Sequence, residues 1–184
     1  WAHYLPRLQS AFPDALRGLD AGRFQQAVNV VRPTLIRAEA DEVTYNLHIL
    51  MRYELEVALL SGDLPVRDLQ SAWNESSRKW LGIAPATVGE GCLQDVHWAG
   101  ASIGYFPTYT IGNLYAAQLA ESYAAQADLD AQLASGNLRP LRDWLATNVY
   151  HWGCRLTAEE IIRKATGRGL EADAYFRHLA AKFS

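Results

Sequence analysis

Val43-Thr44-Tyr45-Asn46-Leu47-His48-Ile49-Leu50-Met51-Arg52-Tyr53-Glu54-Leu55-Glu56-Val57-Ala58-Leu59-Leu60 is the stretch that decides the fold. Its apolar residues (Val43, Tyr45, Leu47, Ile49, Leu50, Met51, Tyr53, Leu55, Val57, Leu59, Leu60) go almost all round a helix. A helix apolar on nearly every side belongs in the middle of a large protein. The pattern reaches back to about Leu35, and Gly62 stands where a C′ glycine stops a helix. One long helix over about Leu35–Leu60 is therefore expected.

Helical patterning continues in both directions, with no strict alternation and no hairpin turn between β-branched runs. Upstream, helices are expected over about Ala2–Leu8 and Arg23–Val31, the second ending before Pro33. Downstream, Pro65 opens a helix that runs to Trp80 and closes at Gly82. Further helices are expected over Thr110–Gln126, 129–135 and Pro140–Trp152. Thr157 and Glu160 form a capping box for a helix stopping at Gly167, and a last helix covers Glu171–Lys182. The expected fold class is all-α, with residues 1–184 as a single region.

The bulk numbers agree with a packed domain. At 184 residues, with 49% hydrophobic and 20% charged side chains, the chain can bury a real core. A net charge of −3 gives no electrostatic footprint for nucleic acid, and no apolar run is long enough to span a membrane. Cys92 and Cys154 form no CxxC pair, which suits free buried thiols in a reduced, cytoplasmic setting. The chain starts at Trp1 without an initiator Met, in what reads as a helix, so a fragment of a longer protein is expected.

Charge interrupts the apolar helix on one side only. Arg37, Asp41, His48, Arg52 and Glu56 are spaced by four, seven, four and four residues, which puts them within about 100° of one another on a helix. Arg52 and Glu56 read as an i,i+4 ion pair. Arg37 and Asp41 read as functional, because an arginine at a cleft suits a two-point grip on a carboxylate.

The longest break in periodicity, 83–106, holds Gly91-Cys92-Leu93-Gln94-Asp95-Val96-His97-Trp98 and leads into Gly104-Tyr105-Phe106-Pro107-Thr108-Tyr109. A long loop in a compact chain is usually functional. Gln, Asp, His and Tyr can orient a polar substrate or stabilise an oxyanion. Equally, Trp98, Tyr105 and Phe106 can serve as core anchors. Asp95 and His97 alone are too few for zinc, so no metal ligand is assigned in this chain. Trp73, Trp80, Trp144 and Trp152 read as packing residues, and Arg163, Lys164 and Arg168 as a solvated helix end.

Two motifs carry a resemblance. Ile36-Arg37-Ala38-Glu39-Ala40-Asp41 resembles the IRxxAD motif, and Gly91 to Trp98 the GxxQDxHW motif, of the carboxypeptidase Taq family. The flanks Asp41 to Ile49 and Gly104 to Tyr109 read like the same family.

The resemblance implies a helical, cleft-bearing zinc metallocarboxypeptidase that removes C-terminal residues from peptides and is a homodimer at full length. The family holds its zinc on an HExxH helix with a downstream Glu. No HExxH, HPF, DxRxT or HES/GQ motif occurs in this sequence, and in the family all lie upstream. The chain therefore resembles only the C-terminal third or so, a multi-helix subdomain that supplies the wall opposite the metal and binds no zinc itself. On that reading Arg37 grips the substrate's terminal carboxylate. His97 and Tyr105 stabilise the oxyanion, while Asp41, Gln94, Asp95 and Tyr109 bind or orient at the same wall. Residues Tyr150 to Cys154 depart from the family's His-rich string. The alternative is a helical binding module, or a pseudoenzyme without a metal site. Reading the coding sequence upstream of Trp1 for an HExxH separates the two.

Overall fold

A computed structural model describes residues 1–183. Among them there are nine α-helices, three short 3₁₀ segments and no strand, so the all-α expectation holds. The chain divides into two compact units, Val30–Gly112 and Trp1–Asn29 together with Asn113–Ser184.

In Val30–Gly112 the core lies between α3 (Tyr45–Ser61) and α4 (Leu69–Leu81). Met51, Leu55 and Trp73 are buried together, with Leu64, Ala72, Trp80, Cys92 and Trp98 packed around them. Each such large side chain contributes on the order of 1.5–3 kcal/mol through removal from water. Gly62 and Gly82 end the two helices in left-handed conformations, as glycine readily does. Beyond α4, residues 83–106 carry no helix.

The long helix is shorter than the periodicity suggests. Arg37–Glu39 is a 3₁₀ turn, Ala40 is extended, and α3 starts only at Tyr45. The cause is Asp41. Its Oδ1 accepts the N–H groups of Val43 and Thr44 at 3.0 and 2.9 Å, and its Oδ2 accepts Thr44 Oγ1 and Arg32 N–H at 2.8 and 3.0 Å. A side chain that satisfies local backbone donors competes with the helical ladder. Arg37 and Asp41 therefore do not continue the stripe of His48, Arg52 and Glu56. Nor is the helix buried all round, because Leu50, Tyr53, Val57 and Leu60 are exposed.

In the other unit, α1 (Leu5–Ala11) and α2 (Ala21–Val28) precede the crossing into Val30, each lying a few residues from its expected place. Helix α5 (Pro107–Ala124) begins within Val30–Gly112 and continues from Asn113. Then follow α6 (Leu129–Ser135), α7 (Arg139–Asn148), α8 (Ala158–Thr166) and α9 (Asp173–Phe183). The Thr157–Glu160 capping box forms as expected. Helix α7 stops at Asn148 rather than Trp152, because Val149 leaves helical geometry and Tyr150–Arg155 is 3₁₀ with a break at Gly153. Both cysteines are free, but Cys154 is exposed rather than buried.

Candidate functional site

Two close contacts shape the loop before any of its polar groups acts. A Cβ on Gly91 would stand 3.0 Å from Pro85 Cγ and 3.3 Å from the Thr87 carbonyl, so a side chain there would crowd the loop, and glycine passes without displacing either. Gly104 has φ +76°, in the left-handed region that glycine enters without strain. Between these points the loop carries Gln94, Asp95, His97 and Trp98 inward.

Gln94 ties the loop to the segment carrying Arg37. Its Oε1 accepts the Arg37 N–H at 3.0 Å, and its Nε2 donates to the carbonyls of Leu35 and Glu90 at 2.9 and 2.8 Å. Asp95 does the same through charge. Oδ1 accepts from Arg37 Nε and Nη2 at 3.1 and 2.6 Å, and Oδ2 accepts from Arg52 Nε at 2.6 Å. The expected Arg52–Glu56 pair does not form. Arg52 turns to Asp95 instead, while Glu56 accepts from Trp98 Nε1 at 2.7 Å and from the Gly104 N–H.

The burial of this cluster sets its protonation. Arg52 is fully buried, with its guanidinium 4.6 Å from the Trp73 ring centroid. Burial lowers its pKa to about 10 against the pull of Asp95, so it stays charged at neutral pH. Burial works to raise the Asp95 carboxyl, but Arg37 and Arg52 outweigh it and hold Asp95 below the usual carboxylate range. For Arg37, burial is likewise outweighed by Asp95, and its pKa is raised. His48, 3.3 Å from Arg52 Nη1, is pushed down to about 4 by burial and then by the Arg52 charge, so it is neutral. Two guanidiniums thus share one carboxylate, and this small cluster carries a net charge of +1.

The rest of the group surrounds Arg37. Its Nη1 donates to Tyr45 Oη at 2.9 Å, and its guanidinium lies 5.0 Å from the Tyr109 ring centroid. Sequence reasoning missed Tyr45, whose only signal was an aromatic residue with a polar tip at the start of an apolar helix. Tyr109 Oη bonds His97 Nε2 at 2.9 Å. His97 Nδ1 faces Asp95 Oδ1 at 3.7 Å and has no hydrogen-bond partner. The His97 and Tyr105 rings are 5.7 Å apart, and Tyr105 is 48% exposed. Arg37, Gln94, Asp95, His97, Tyr105 and Tyr109 are therefore brought together. Asp41 accepts from the backbone just ahead of α3, with its carboxyl held below the ordinary value as its bonds to Thr44, Arg32 and Val43 outweigh burial.

A guanidinium has five N–H donors. Asp95 takes two of Arg37's and Tyr45 takes one. One N–H on Nη1 and one on Nη2 are left over, which is the number a carboxylate needs for a two-point grip. A metal finds no such fit: among the described residues no group of three or more His, Cys, Asp or Glu side chains could hold one. Asp95 is already committed to two arginines.

The family model for the Carboxypeptidase Taq (M32) metallopeptidases matches residues 1–183. Thermostable carboxypeptidase 1 of Thermus thermophilus is 43% identical, the match covering 100% of this chain and 36% of that protein. Carboxypeptidase 1 of Bacillus subtilis is 42% identical, covering 100% of this chain and 37% of its own length. The crystal structure of an M32 carboxypeptidase from Deinococcus radiodurans R1 superposes with a TM-score of 0.93 at 43% identity, over 99% of this chain and 37% of that one. The chain thus spans little more than a third of the relatives it matches.

Proposed function

The chain belongs to the carboxypeptidase Taq (M32) metallopeptidase family, and from that premise we propose that it is the C-terminal, substrate-binding wall of a metallocarboxypeptidase acting on the free C-termini of peptides. One observation carries the reading. Arg37 and Arg52 share Asp95, leaving unbalanced positive charge and two spare N–H groups on Arg37, whose guanidinium lies against the Tyr109 ring that also meets Tyr105. A substrate carboxylate supplies the missing negative charge and both acceptors. This grip selects exopeptidase over endopeptidase cleavage, because an internal peptide carbonyl brings no such charge.

Within this wall Tyr105 donates a hydrogen bond to the oxyanion that develops as the peptide carbonyl is attacked, and His97, its ring 5.7 Å away, backs the Tyr105 ring. Tyr109 orients His97 through its hydroxyl, while Gln94 and Asp95 hold the Arg37 segment against the loop. The metal, zinc in this reading, is a Lewis acid for the same carbonyl and is held by the rest of the full-length enzyme. Cytoplasmic location rests on the two unpaired cysteines, and a homodimeric state of that enzyme on the family resemblance. Among the described residues no helix is long and apolar enough to cross a membrane.

The test is steady-state kinetics of the full-length enzyme on peptides with a free C-terminus. Arg37→Ala lowers kcat/KM by about 10²-fold or more, as expected for truncating one partner of a desolvated charge pair. Tyr105→Phe lowers kcat by about 10²-fold, the usual loss for one oxyanion donor. Unchanged kinetics in both variants eliminates this assignment.

A further inference from the structure

The polar stripe of α3 meets the loop at Asp95, Trp98 and Gly104, yet no role above explains why it holds both an arginine and a glutamate. Arg52 and Glu56 stand one turn apart and are buried, and neither bonds the other. Each reaches a different part of the site. Arg52 is fully buried, enclosed by Trp73 at 4.6 Å and Phe106 at 5.6 Å, so it meets no substrate; Nη1 is tied back to the His48 carbonyl and Nε reaches the loop through Asp95 Oδ2. The other Asp95 oxygen holds Arg37. Glu56 spends one oxygen on Trp98 Nε1 and the other on the Gly104 N–H, next to Tyr105.

Tyr105 depends on that second anchor. Its ring lies tilted against His97 at 5.7 Å and edge-on to Tyr109 at 5.4 Å between centroids, and no hydrogen bond among the described residues engages its hydroxyl. Its carbonyl is fixed from the α5 side by Thr108 N–H and Oγ1 at 3.0 and 2.6 Å. On the other side the fixed point is Gly104, held by Glu56. A carboxylate is required there because two N–H donors converge on it. A glutamine at 56 presents one acceptor and sets its own NH₂ against the remaining donor.

Building on the function proposed above, we infer that Arg52 and Glu56 are positioning residues that hold the two halves of the site independently: Arg52 sets Arg37 through Asp95, and Glu56 sets Tyr105 through Gly104. The two halves serve different stages. Arg37 grips a carboxylate that is charged before and during reaction, so its displacement weakens binding. Tyr105 meets an oxyanion that exists only as the bond breaks, so its displacement slows the chemistry.

The experiment measures kcat and KM of the full-length enzyme on a peptide with a free C-terminus. Arg52→Gln is expected to raise KM about tenfold with kcat within about threefold. Glu56→Gln is expected to lower kcat about 10- to 100-fold with KM within about threefold, the scale for misplacing a group by about 1 Å. Arg52→Lys, which keeps the charge and one donor, restores part of the lost affinity. Thermal unfolding verifies that each variant is folded. Where Glu56→Gln does not fold, Trp98→Phe removes only one of the two donors to Glu56 and is expected to lower kcat by a smaller factor at constant KM. Equal proportional changes in kcat and KM for both variants, or no change in either, overturn the inference. Arg37→Ala and Tyr105→Phe run in parallel keep the two claims apart. If these act normally while 52 and 56 are silent, the positioning roles fail. If these too are silent, the assignment of the site itself fails.

Discussion

Val30–Gly112 and the remainder of the chain bury polar groups in opposite ways. In Val30–Gly112 the buried side chains include the ionisable His48, Arg52 and Glu56. Among the described residues of the other unit the buried polar side chain is Gln118, which is neutral and matched. Its Nε2 donates to Thr166 Oγ1 and the Gly169 carbonyl, and its Oε1 accepts the Glu171 N–H at 3.1 Å. Charges there stay at the surface, where Glu121 meets Arg168 and Arg177 on partly exposed side chains. Taking charge out of water is costly and is matched only by close partners. The unit that carries that cost is the one that arranges Arg37, His97 and Tyr105, the residues of the proposed site.

Removing the shared carboxylate is the strongest way to break this contrast. Asp95→Ala leaves two guanidiniums without their partner, one of them fully buried, and is expected to destabilise the full-length enzyme by about 3–5 kcal/mol in denaturant unfolding. A loss below about 1 kcal/mol shows that the cluster is not a buried network at all.

Acid is the next probe. His48 has a folded pKa of about 4 against an ordinary 6.5, so the unfolded chain binds its proton first. The stability it contributes is complete above about pH 6.5 and is lost as pH falls toward 4, amounting to at most about 3 kcal/mol. The lowered Asp95 carboxyl contributes in the same direction, its share disappearing as pH falls through its folded value. His48→Gln is expected to flatten the dependence of thermal stability on pH between about 6.5 and 4. An unchanged slope in that variant rules out His48 as the source.

The smallest effect sharpens the comparison from the other side. Glu121→Ala removes the acceptor of two arginines, yet these pairs are solvated, and the expected loss is within about 1 kcal/mol and diminishes further with added salt. A loss as large as that of Asp95→Ala erases the distinction between the two units.

Much of this was legible in the residues. The helical class follows from periodicity, and the ends at Gly62, Gly82, Gly136 and Gly167 follow from glycine's left-handed freedom. The capping box at Thr157 needs only a threonine and a glutamate three residues apart. The loop at 83–106 and its Gln94, Asp95 and His97 stood out because glycines and polar groups interrupt the apolar pattern. What misled was treating Arg37 to Glu56 as one helical face. Asp41 can bond the N–H groups ahead of it, and that local competition ends the ladder where periodicity alone would continue it. The pairing of Arg52 was missed for a related reason. An i,i+4 neighbour is the only partner a sequence displays, whereas Asp95 lies 43 residues away.

The sequence by itself determined the all-α class, most helix ends and which residue types gather in the loop, because these depend on spacing and on backbone freedom within a few residues. Only the tertiary structure decided that Arg37 and Arg52 share Asp95, that Glu56 holds Gly104, and that Asp41 accepts from Arg32 as well as from Val43 and Thr44. Those outcomes rest on which charged groups are buried within hydrogen-bond reach of one another, and only packing sets that distance.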